Sequence, residues 1–128
     1  MVEPEHWPPE AVTYQLVITL AAPCRIAPGR LGVYELAPGR YVYTGSARRH
    51  MRARVRRHLR RDKALRWHID WLLSRSEAQV TAVELSADGE CAVNARTAGQ
   101  IPIPGFGASD CRAACGSHLR YLGTALER

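Results

Sequence analysis

"RYVYTGSARRHMRARVRRHLRR", residues 40–61, changes its periodicity halfway along. Residues 40–44 have the aromatic and β-branched composition of a strand, and Gly45-Ser46 punctuate its end. Beyond them Met51, Val55 and Leu59 recur every four residues, which puts them on one narrow face of a helix. A strand that runs straight into a helix predicts helices laid against a sheet. The flanking segments agree. "TYQLVITL" (13–20) alternates, with Tyr14, Leu16 and Ile18 on one side and Gln15, Val17 and Thr19 on the other. Two Ala-Pro-Gly-Arg turns, at 27–30 and 37–40, punctuate the chain between this strand and the one at 40–44, which predicts a three-stranded antiparallel meander.

Downstream, "KALRWHIDWLLSR" (63–75) carries a second apolar helical face of Leu65, Ile69, Leu72 and Leu73. "VTAVELSA" (80–87) returns to strand character, "ECAVNARTAG" (90–99) reads as a short helix closed by Gly99, and "SHLRYL" (117–122) as a late strand. The expected fold class is therefore α+β, a small antiparallel three- to four-stranded sheet flanked by helices. With 128 residues, 46% of them apolar, the chain is large enough to close one core. Residues 1–11, with three prolines and three glutamates, read as an extended N-terminal arm, and 12–128 as a single domain.

The charge is local. The net charge is +6, yet residues 48–61 alone hold eight arginines and no acid, so the rest of the chain carries a small acidic excess. Such clustering is the electrostatic footprint of a polyanion-binding surface, with Arg48, Arg49, Arg52, Arg56, Arg57, Arg60 and Arg61 placed to meet a nucleic-acid backbone. Arg54 and His58, one helical turn apart, border the apolar stripe. The apolar run at 12–23 is too short to span a bilayer and is preceded by an acidic, Pro-rich segment, so a cytoplasmic protein without membrane contact is expected. Four cysteines, at 24, 91, 111 and 115, show no framework spacing, and no disulfides are assigned.

"YTG" at 43–45, followed by "SA" and then Arg54-x-x-x-His58, resembles the second half of the signature of the GIY-YIG nuclease superfamily. "TYQLVITL", "GRYVYTGSA", "RARVRRHLR", "LRWHIDWLL", "EC" and "GFGASDC…SHL" together are similar to its subfamily of small domains also found fused to endonuclease III-type glycosylases. The resemblance runs from about residue 12 to about residue 122. It implies a GIY-YIG-like fold and a metal-dependent DNA endonuclease, structure-specific and linked to DNA repair, with branched, nicked or damaged DNA, or RNA, as substrate.

The site it implies has Tyr14 as general base, Tyr43 positioning water or phosphate, Arg54 clamping the scissile phosphate and His58 relaying the proton. Glu90 would hold a single Mg²⁺ or Mn²⁺. Hydrolysis of a phosphodiester needs these parts: a base for water, a cation for the phosphoryl oxygens and help for the departing oxygen. Two features depart from the family pattern: the first motif lacks its glycine, and Thr44 replaces the usual branched apolar residue. The strand start reads Val12-Thr13-Tyr14 without the usual glycine, while Gly32-Val33-Tyr34 matches the first motif more literally, so Tyr34 competes with Tyr14. Glu84 likewise competes with Glu90.

Other features carry alternatives. His68 and Asp70 match the subfamily without an assigned role and read as a helix surface and cap network, with Trp67 and Trp71 as core. Cys111-x3-Cys115-x2-His118 invites a zinc site, but the spacing is loose and a fourth ligand, Cys91, has to be brought in by the fold; zinc is not expected from spacing alone. "GFGASD" (105–110) reads as a turn with Ser109 or Asp110 capping the segment after it, in preference to an amide nest for phosphate. Two rival functions remain: a non-catalytic nucleic-acid-binding module using the Arg-rich helix, and a zinc-binding structural or interaction domain.

Overall fold

A computed structural model describes residues 2–108 and 115–124. The elements run β1 (Thr13–Leu20), β2 (Cys24–Ile26), β3 (Tyr34–Leu36), β4 (Gly39–Ser46), α1 (Met51–Leu59), α2 (His68–Leu73), β5 (Ala78–Ser86), α3 (Glu90–Arg96) and β6 (Leu119–Gly123). The fold is α+β. Its four-stranded antiparallel sheet has the order β5-β1-β4-β6, and β2 and β3 form a separate two-stranded ribbon.

The expected meander is corrected here. Strand β1 pairs directly with β4 over its whole length, Tyr14 opposite Gly45 and Leu16 opposite Tyr43. The intervening ribbon is excluded because its strands are three residues long and bounded by prolines at 23, 28 and 38, which cannot feed a sheet ladder. Strand β4 is thus interior, between β1 and β6.

The alternation read in β1 sets the two faces. Tyr14, Leu16, Ile18 and Leu20 are buried, and they join Tyr41, Tyr43, Val55, Ile69, Leu72 and Phe106 in one core. Helices α1 and α2 cover that face. On the other face Gln15 donates to the hydroxyls of Thr44 (3.1 Å) and Thr97 (2.8 Å), which ties the end of α3 across β1 and β4.

Two helix boundaries differ from expectation. The second helix begins only at His68, because the Asp70 carboxylate accepts the backbone N–H groups of Arg66 and Trp67 (both 2.9 Å) and so caps it there. Leu65, expected on its apolar face, is left exposed. Helix α3 stops at Arg96, and Gly99, with φ +118, instead leads into the bridge of Gln100 with Tyr121. The N-terminal arm folds back on α1: Glu3 pairs with Arg56 at 2.9 Å and Arg52 lies 5.2 Å over the ring of Trp7. No helix among the described residues is long and apolar enough to cross a membrane.

Candidate active site

The start of β1, the end of β4, the middle of α1 and the first turn of α3 meet at one end of the sheet. Tyr14 and Tyr43 project from neighbouring strands toward α1, with ring centroids 6.4 Å apart. Tyr14 can lie flat across β4 because its cross-strand partner is Gly45; a Cβ there would stand 2.5 Å from Cζ of Tyr14. The glycine that punctuates the sequence therefore makes room for the phenol. That ring reaches α1, where the Tyr14 hydroxyl meets Nε2 of His58 at 2.7 Å.

His58 is not at the border of the helix face, as its spacing suggested, but buried with Val55. Its ring touches those of Tyr14 (5.3 Å), Tyr43 (6.2 Å) and Trp67 (5.7 Å). Burial, reinforced by the charge of Lys63, lowers its pKa to about 3, so the imidazole is neutral at ordinary pH. Burial also raises the pKa of Tyr14 above the usual phenol range; Arg54 opposes this by charge and hydrogen bonding, while Glu90 and Asp70 add to it. Tyr43 is pushed up in the same way, by burial first and then by Tyr14 and Glu90. The pair is thus a neutral phenol in hydrogen-bond contact with a neutral imidazole.

Arg54 is held by its surroundings rather than by an acid. Its Nη1 donates to the Ser46 carbonyl at 3.0 Å and its guanidinium lies 4.7 Å over the Trp67 ring. Trp67, expected in the core and packed against it, also carries Arg57 at 4.5 Å, so its ring serves as a platform for two guanidinium groups. A positive charge with no carboxylate partner among the described residues is suited to an anion from outside. Glu90 opens α3. Burial raises the pKa of its carboxyl, but hydrogen bonding from His118 and Ser46 and the nearby Arg54 outweigh that and hold it below the ordinary range. The Glu90 Oε2 to His118 Nδ1 distance is 2.5 Å, and a quarter of its side chain faces solvent.

The five residues inferred as catalytic or metal-binding therefore lie together. Tyr34 does not join them: it sits on the separate ribbon, opposite Ile26. Glu84 is exposed on β5, opposite Gln15. The arginines expected to face nucleic acid divide. Arg57 is turned inward, its two terminal nitrogens each 3.0 Å from an oxygen of the buried Asp70. Arg61 donates to the carbonyls of Leu73, Arg75 and Ala78, and Arg56 to Glu3. Arg48, Arg49, Arg52 and Arg60 are exposed. Asp70 thus does more than cap a helix. Burial alone would raise its pKa, but Arg57 and the backbone N–H groups of Trp67 and Arg66 bring it below the usual carboxyl value.

The 105–107 loop supports the tyrosines. Phe106 is fully buried and packs edge-on against Tyr43 at 6.1 Å. The Gly107 N–H donates to Nδ1 of His68 at 2.9 Å, so that amide is spent inside the fold and His68 acquires a role in holding the loop. Ser109, Asp110 and Cys111 lie outside the described residues.

The buried imidazole makes stability pH-dependent with a definite sign. In the unfolded chain His58 protonates near pH 6.5, in the fold only near 3. Between those values the unfolded chain binds the extra proton, so stability is greatest above about pH 6.5 and falls as the pH drops. The total is on the order of a few kcal/mol. His68, whose pKa burial also lowers, adds to the slope. Urea midpoints measured from pH 7 to pH 4 should fall steadily for the wild type and more shallowly for His58→Asn.

A family model described as a domain of unknown function, DUF123, matches residues 13–127. No curated protein and no solved structure matches the chain.

Proposed function

The chain belongs to the DUF123 family, and on the chemistry of this site we propose that it is a metal-dependent DNA endonuclease of GIY-YIG type, structure-specific, cytoplasmic and linked to DNA repair. The observation that carries this reading is the 2.7 Å contact between the Tyr14 hydroxyl and Nε2 of a neutral His58, under the charge of Arg54.

Arg54 receives the scissile phosphate, whose negative charge supplies the partner that the guanidinium lacks. Tyr14 takes a proton from the attacking water as its own passes to His58 Nε2, so the phenol never needs to be ionised in the resting protein. Such a shuttle avoids a free phenolate, and it draws on the negative charge of the phosphate bound at Arg54 to raise the proton affinity of a His58 that is neutral at rest. Tyr43, packed beside Tyr14, keeps the ring pair in register. Glu90 suits a divalent cation: it is ionised, partly open to solvent and offers one anionic group rather than a cage, which fits Mg²⁺ or Mn²⁺ retaining most of its waters. Such an ion, held by Glu90, would supply electrostatic stabilisation of the leaving 3′ oxygen. The exposed Arg48, Arg49, Arg52 and Arg60 hold the flanking backbone.

Incubation with nicked, flapped and forked DNA and with structured RNA, in Mg²⁺ or Mn²⁺, tests this. Cleavage that needs the cation and drops by about 10²–10³-fold in Arg54→Ala is expected. Salt-sensitive binding without cleavage in either metal would instead identify a binding module that works through the Arg-rich helix.

A further inference from the structure

Cys91 lies on α3, far in sequence from Cys115 and His118, yet the ligand atoms of all three lie within 4.8 Å of one another. We propose that these three side chains hold a zinc ion, at a site separate from that of the divalent ion at Glu90 but joined to it through the Glu90–His118 contact. Two thiols and an imidazole are the donor set that zinc prefers over Mg²⁺ or Ca²⁺. With metal–sulfur bonds of about 2.3 Å and metal–nitrogen bonds of about 2.0 Å, tetrahedral ligand atoms stand about 3.5–3.8 Å apart. The three groups therefore need to close by only a small movement.

The histidine is already oriented for this. Its Nδ1 is engaged by Glu90 Oε2 at 2.5 Å, which leaves Nε2, itself buried, as the ligand atom. A carboxylate on the far nitrogen of a metal-bound histidine fixes the tautomer and raises the basicity of the ligand. The backbone on either side is fixed as well. The His118 N–H donates to the Phe106 carbonyl (2.8 Å), its carbonyl accepts from Thr44 (3.0 Å), and Asn94 of α3 donates to the Ser117 carbonyl (2.9 Å). Spacing alone left the site incomplete, because Cys91 arrives from α3 only through the tertiary fold. A structural zinc here would clamp α3 to the segment that leads into β6.

The protein, purified with zinc in the medium and dialysed, should retain zinc in stoichiometric amount by elemental analysis. Cys91→Ser and Cys115→Ser should each lower that content at least about tenfold, whereas Cys24→Ser, on β2, should keep it. Should the serine variants fail to fold, cobalt(II) added to metal-stripped wild type provides the second readout, with thiolate-to-cobalt charge-transfer bands expected. Wild type that carries no zinc and shows no such bands overturns the site, as does zinc that survives both serine changes or a disulfide found at Cys91 or Cys115. Metal content is read without DNA, so the fate of this site and that of the nuclease reading are decided separately.

Discussion

Tyr14→Phe should leave DNA binding intact while lowering the rate of phosphodiester cleavage by about 10²–10⁴-fold, the range for loss of a general base. The substitution removes one oxygen and keeps the ring. Phenylalanine still packs over Gly45 and beside Tyr43, so the sheet register has no reason to change, and Arg54 loses its bond to the phenol but keeps the Ser46 carbonyl and the Trp67 ring. What disappears is the hydroxyl 2.7 Å from His58 Nε2, and with it the route by which a water proton reaches the imidazole. The free energy of unfolding should fall by about 1–3 kcal/mol, since a buried imidazole nitrogen loses its partner. Single-turnover cleavage, anisotropy binding in Ca²⁺ and a thermal melt separate these effects. Wild-type cleavage by Tyr14→Phe would remove Tyr14 from the chemistry and return the base to another group. Loss of binding together with activity would mean that the tyrosine shapes the phosphate site rather than acting on water.

How far the sequence could be read depended on whether the deciding interaction was local. The strand at 13–20 and the helix at 51–59 come from period and composition, and both stand as expected. The identity of the first-motif tyrosine does not. Tyr34 has the more literal flanking residues, and only the pairing of β1 with β4, which bypasses the β2–β3 ribbon, puts Tyr14 against His58. Such pairing is set by the sheet as a whole. The spacing within α1 puts His58 at the border of the apolar stripe, whereas Tyr14, Tyr43 and Trp67, all from outside that helix, close over it. Trp67 carried no sign in its neighbours that two guanidinium groups would stack on it. Cys91 needed α3 to be docked before it could meet Cys115 and His118.

The arginine run shows the same limit in energetic form, and Asp70→Ala should expose it by destabilising the protein by about 3–5 kcal/mol. Asp70 is fully buried, and its two oxygens together receive both terminal nitrogens of Arg57 and the N–H groups of Arg66 and Trp67. Alanine takes away the helix cap, worth about 1 kcal/mol, and leaves a guanidinium with only 18% of its side chain in solvent without its counter-charge. Removing one member of a buried pair costs far more than the pair contributes, because the survivor cannot recover its hydration. Asp70→Asn, which keeps one acceptor oxygen, should cost less. Urea unfolding should show a lowered midpoint at unchanged slope. Arg57→Ala should likewise lower stability while leaving the salt dependence of DNA binding as it was, since its charge is spent within the fold. Arg48→Ala, Arg49→Ala and Arg60→Ala should do the reverse, each reducing the salt slope by about one with stability unchanged. If Arg57→Ala reduced the slope and left the urea midpoint alone, its inward pairing would not describe the protein in solution, and the division of the run into structural and DNA-facing arginines would fail with it.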